Sequence, residues 1–406
     1  MPDAGVMNLP TGLPGNAQAV GDAINAVVNG GGTLPPGFQN LIGLSGPALT
    51  NALSQLSGEG ATGGQQAAFD LMTEFLALMT DPFIDRWDGA GGVSSFAPVD
   101  EAALPPELAS AYAAVFKAPV MTPVSFDQRW SLWGTAFGGA NSTRGDPNGV
   151  GSHDLTAHTG GFAAGADYRV SAVTTLGFAL AGGGTGWSLA QGLGGGHSDA
   201  FEAGIYGRTH AGPAYLSGSF GFANHWMSTD RFAAGGDHLT ASFNAQSVGT
   251  RIEGGYRFAT AFAGITPYAA VQAQSFSTPS FQETDLTGGG FGLAFADRTA
   301  TDTRAELGSR FDRLMLVDQG TVLALRGRLA YAHDWVSDPA LAAVFQALPG
   351  ASFIVNGATP AHDSALVSTS AELRFVGGVS IGAKFDGELA AHSQTYAGTA
   401  TVRYRW

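Results

Sequence analysis

The chain has 406 residues, 60 of them Gly and none Cys, with a formal net charge of −14 and 13% charged residues. Charge is about half, and Gly about double, the share of a soluble domain, yet no stretch approaches the roughly 18 apolar residues of a spanning helix. The acidic balance argues against a nucleic-acid partner, which needs Lys and Arg on its binding face, and zero Cys fits a route through an oxidising compartment. Residues 1–60 are rich in Gly, Pro, Asn and Ala, with a weak helical pattern over 48–56, and read as a linker or the frayed end of a larger structure. No Lys or Arg precedes Arg86, so MPDAGVMNLP lacks the basic and apolar regions of a secretory leader. An exported form is expected to carry one.

Residues 61–127 read as a helical junction. Phe69, Met72, Leu76 and Met79 recur at spacings of three and four, Leu71, Phe75 and Leu78 widen the stripe, and Pro82 ends it. The spacing predicts a helix over 65–79, about 23 Å long. Asp70 and Glu74 keep it from facing lipid, which leaves the surface of a soluble domain or a polar lumen. A shorter helix is predicted over 106–117.

From residue 128 to 406 the texture is alternation. In the last segment Trp406, Tyr404 and Val402 share one face, and Arg405 and Arg403 the other. The same sorting recurs upstream: Arg251 and Glu253 oppose Ile252; Arg304, Glu306 and Arg310 oppose Leu307; Arg326 and Arg328 oppose Leu325 and Leu329. Glu372 and Arg374 oppose Leu373, and Lys384, Asp386 and Glu388 oppose Ile381 and Phe385. Soluble sandwiches turn the apolar face to a core. A membrane barrel turns it to lipid and the charges to a wet lumen, where a slip of register costs about 2–4 kcal/mol per charge at the midplane. Twelve strands are predicted, over 128–140, 155–169, 172–187, 197–210, 212–228, 238–258, 262–278, 293–313, 320–336, 363–376, 378–390 and 394–406. Short turns, including 314–319, alternate with longer loops at 141–154, 188–196, 229–237, 278–292 and 336–363. Aromatics gather near strand ends, as at an interfacial girdle. The pattern specifies an all-β fold, a twelve-stranded antiparallel transmembrane β-barrel.

RWSLWGTAFGG at 129–139, GVSIGAKFDGELAAHSQTYAG at 378–398 and the terminal VRYRW carry a resemblance to the translocator domain of autotransporters, the type V secretion proteins of Gram-negative bacteria. The stretch QLSGEGATGGQQAAFDLMTEFLALMTDPF at 55–83 is similar to the junction of alphaproteobacterial members. The resemblance implies a monomeric outer-membrane barrel whose preceding helix sits in the pore: the helix over 65–79, carrying Phe69, Asp70, Met72, Glu74 and Leu76, or the one over 106–117. It makes residues 1–60 a passenger remnant. It also implies an assembly signal at Val402, Tyr404 and Trp406, read by the outer-membrane assembly machinery, and contact with outer-membrane lipid and lipopolysaccharide.

The cationic excess of the assigned lumen leads to the expectation that Asp70 and Glu74 dock against lumen arginines. No catalytic, cofactor or metal constellation stands out. GVSIG spells a nucleophile-elbow pattern, but Ser380 lies in an alternating strand with no helix behind it. The nine His read as solvated or girdle residues. A porin-like channel, or the remnant of an adhesin or enzyme autotransporter, is the alternative. A simple porin has no use for a helix ahead of its first strand.

Overall fold

The computed structural model describes residues 9–80, 129–260, 262–318 and 320–406. The predicted helix over 106–117 lies outside these. Among the described residues, twelve strands form the barrel: β1 (Trp130–Thr143), β2 (Leu155–Arg169), β3 (Thr174–Leu189), β4 (Gly195–Ala211), β5 (Ala214–Ala233), β6 (Asp237–Tyr256), β7 (Gly264–Thr278), β8 (Arg298–Asp318), β9 (Thr321–Val336), β10 (Asp363–Phe375), β11 (Val379–Ala390) and β12 (Ser393–Arg405). Each strand pairs antiparallel with its sequence neighbours. β12 returns to β1 with Gly134 opposite Val402 and Ala140 opposite Tyr396, so the ring is closed and keeps no open edge.

The alternation resolves as the membrane pattern requires. Leu329, Ile381 and Phe385 are 56%, 51% and 48% exposed on the outside, whereas Glu306 and Arg310, inside, are 4% and 7% exposed. Several strands exceed the 9–11 residues needed to cross a bilayer. β5 runs to Ala233, leaving only Ala234–Gly236 as a turn where a loop over 229–237 was predicted. β8 starts at Arg298 and continues through Leu314–Val317 to Asp318, pairing with β9 where a turn was predicted. These extensions are themselves alternating or β-prone, and a partner strand overrides their loop-like composition.

The larger departure is at the barrel end that carries the long connections. Segments Phe281–Gln282, Leu293–Phe295, Ala340–Phe345 and Leu348–Asn356 form a second, four-stranded sheet there, not two open loops. Residues 9–60, predicted as linker, are folded against it. Helices α1 (Gly15–Asn29), α2 (Pro36–Gln39) and α3 (Gly46–Leu56) lead through a turn of 3-10 helix, Glu59–Thr62, into α4 (Gly63–Thr80). Val20, Ile24, Phe38 and Leu53 share one buried core with Phe291, Leu293, Phe345 and Phe353. Phe38 meets Phe345 edge-on at 5.0 Å. Each such side chain contributes about 1.5–3 kcal/mol on burial. Arg231 pins the arrangement: it binds Glu283 through two nitrogens at 2.6 and 2.7 Å and donates to the Gln55 carbonyl at the end of α3.

Candidate functional site

The site is the lumen, and α4 occupies it. The helix enters beside the second sheet, where the Trp187 indole donates to the Gly60 carbonyl at 2.8 Å. Its last described residue lies near the short turns, where Arg208 donates to the Thr80 carbonyl at 3.1 Å. The helix predicted over 65–79 is therefore present as Gly63–Thr80 and lies inside the ring.

Its apolar face is seated on the first half of the wall. Leu71, Met72, Phe75, Leu76 and Met79 pack against Trp133, Phe137, Ala163, Ala181 and Ala223. Phe69, one turn higher, packs edge-on to Phe276 at 6.5 Å. Glycine makes so close an approach possible. A Cβ at Gly249 would lie 2.8 Å from Met72 Cγ, and one at Gly204 would lie 2.6 Å from Met79 Sδ.

The opposite wall, from β6 round to β12, carries the charges. Arg251 binds Glu253 at 2.8 Å and Glu306 at 2.6 Å, and Arg310 returns to Glu253 at 2.8 Å. Arg328 bridges Glu306 at 3.0 Å and Asp386 at 3.3 Å, and Lys384 adds a second cation to Asp386. Arg304 grips Asp334 and Glu388 at 2.6 and 2.7 Å, and Glu372 is shared by Arg326 and Arg374 at 2.9 Å each. The candidate lumen charges are thus brought together as a ladder of pairs along the wall. Arg403 stands apart, crossing the closing seam to Asp167 of β2 at 2.5 Å, while Arg405 turns inward beside it, half-buried.

Between α4 and this wall lies a cavity of about 170 Å³ lined by Asp70, Glu74, Arg304 and Glu388 among others. The expected docking of Asp70 on an arginine does not occur. Among the described residues Asp70 makes no hydrogen bond or ion pair, because carboxylates of the wall already hold the arginines. A direct polar tie on this face is Thr73, which accepts from Gln272 at 2.9 Å and Gln274 at 3.2 Å. His153, read as solvated, bonds the buried Glu59 at 2.8 Å, and His225 is buried against Ser247 at the same distance. Ser380 is the second residue of β11, opposite Arg374 and Arg403, with no helix after it. Val402, Tyr404 and Trp406 face outward at 54%, 48% and 44% exposure, the last two rings stacked at 5.5 Å.

The sequence model of the autotransporter beta-domain matches residues 132–386. The chain belongs to the autotransporter β-domain family. Its barrel is an outer-membrane translocator and anchor, a secretion domain that serves a passenger. Among solved structures, the chain is similar to the translocator domain of the autotransporter NalP from Neisseria meningitidis, at 15% identity and a TM-score of 0.55, over 68% of this chain and 88% of that one. It is also similar to the beta domain of the Bordetella autotransporter BrkA, at 15% identity and a TM-score of 0.52, over 68% of this chain and 99% of that one. These likenesses concern the fold. No curated protein matches the sequence.

Proposed function

We propose that this conformation is the state reached after transport. In it α4 (with Phe69, Met72 and Leu76 on the wall and Asp70 and Glu74 on the cavity) fills the pore, and residues 9–62 stand on the outer side. Within that reading residues 128–406 are the translocator unit, 61–127 the junction, and 1–60 the remnant of the exported part. The observation that supports it is the course of α4 through a closed ring, from the long connections to the short turns, with folded chain ahead of it. The charged wall supports it too: most of its arginines are held by carboxylates of the wall, so that face would offer a crossing chain a wet, weakly adhesive surface.

Assembly would rest on β12. Val402, Tyr404 and Trp406 present a continuous outward stripe at the strand that closes the seam, a form the outer-membrane assembly machinery can read before closure. The apolar belt then meets lipid and lipopolysaccharide. An epitope placed between α1 and α2 tests the outer placement: antibody should label intact cells. Labelling only after permeabilisation would defeat the reading. Deleting residues 9–80 should turn a nearly silent protein into an open pore in planar bilayers.

A further inference from the structure

Part of the cavity beside α4 is rich in acceptors and short of donors. Gln66 Oε1, Gln274 Oε1 and Asp302 Oδ1 are buried without a hydrogen-bond partner, on residues only 9%, 5% and 8% exposed. All three residues line the same cavity as Asp70. The Gln274 amide cannot be turned over to relieve this, because its nitrogen is needed to donate to Asp302 Oδ2 at 2.8 Å and to Thr73. Charge points the same way. Eight carboxylates and five cationic side chains line the cavity. Arg304, one of these cations, is already held by Asp334 and Glu388.

We propose that this pocket binds a hard cation, calcium in kind, between Gln66 and Asp70 of α4 and Gln274 and Asp302 of the wall. Carboxylate and amide oxygens completed by water are the ligands calcium takes, and its tolerance of irregular geometry suits a mixed set better than the strict octahedron of magnesium. The described residues hold no cluster of three or more His, Cys, Asp or Glu fit for a metal, so amide and water oxygens supply the remaining ligands. The ion offsets the anionic excess and bridges α4 to β7 and β8.

The test is equilibrium dialysis of the purified full chain in detergent against radiolabelled calcium. About one calcium per chain should bind and be removed by chelator. The variant D70N/D302N should bind at least ~10-fold more weakly while still migrating as a folded, heat-modifiable barrel. The wild-type unfolding midpoint should rise by roughly 5 °C at saturating calcium, and the variant's should not move. Should the double variant fail to fold, D70N alone serves, since that carboxylate makes no hydrogen bond among the described residues. A wild type that binds no calcium, or a folded variant that binds it equally, overturns the proposal.

Discussion

The two halves of the barrel's inner wall solve different problems with the same backbone. From β1 to β6 the part of the inward face that meets α4 is largely apolar, and glycines such as Gly204 and Gly249 let a helix lie directly on it. From β6 to β12 the inward face is long and charged, and it is finished without the helix: Arg251, Arg304, Arg310 and Arg328 are bound by carboxylates of the wall itself. One half is a seat and the other a self-sufficient lining. A plug helix therefore needs complementarity to only half of its surroundings, and the lining stands whether or not the helix is present.

Breaking the lining should cost most. Glu306 is shared by Arg251, Arg328 and the Tyr268 hydroxyl. Glu306→Gln leaves Arg251 and Arg328 with one wall carboxylate each, Glu253 and Asp386, and one buried positive charge uncompensated; a loss of about 3–5 kcal/mol is expected, read as a lower urea midpoint and a smaller heat-modifiable fraction. Breaking the seat should cost less and show elsewhere. Gly249→Val drives methyl groups into Met72 and Leu76; overpacking of about 1–3 kcal/mol is expected, with the barrel folded and single-channel conductance raised as α4 is displaced. An equal rise in conductance from Glu306→Gln in a folded barrel would erase the distinction between the two halves. The smallest effect is at the tie between them. Thr73→Val removes the acceptor for Gln272 and Gln274 and should cost about 0.5–1.5 kcal/mol, seen as faster proteolysis within α4 under mild denaturant and not as loss of the barrel.

The ring was legible because lipid and water sort residues by parity. Arg304, Glu306 and Arg310 against Leu307, or Lys384 and Asp386 against Ile381 and Phe385, leave only one inward face. Strand ends were less legible, since pairing carried β5 and β8 beyond their predicted limits. The outer cap was missed for a different reason. Val20 and Ile24 do form a stripe, but their partners Phe345 and Phe353 lie more than 300 residues later, in a segment whose own alternation is short. Asp70 was correctly turned toward the charged side, yet parity cannot say that every arginine there is already engaged. Pair assignment depends on cross-strand register, which a single sequence does not carry.

The outer cap also decides where a pull would be felt. Helices α1 and α3 are fastened to the hairpin Ala340–Asn356 and, through Arg231 and Glu283, to the extended rims of β5 and the following connections. With residues 9–62 on the outer side as proposed, tension applied at the cell exterior would reach those fastenings before it reaches α4, and would spread into several strands at once. The helix in the pore is thereby shielded from traction, and the cap behaves as a mooring whose strength is set by its own aromatic core.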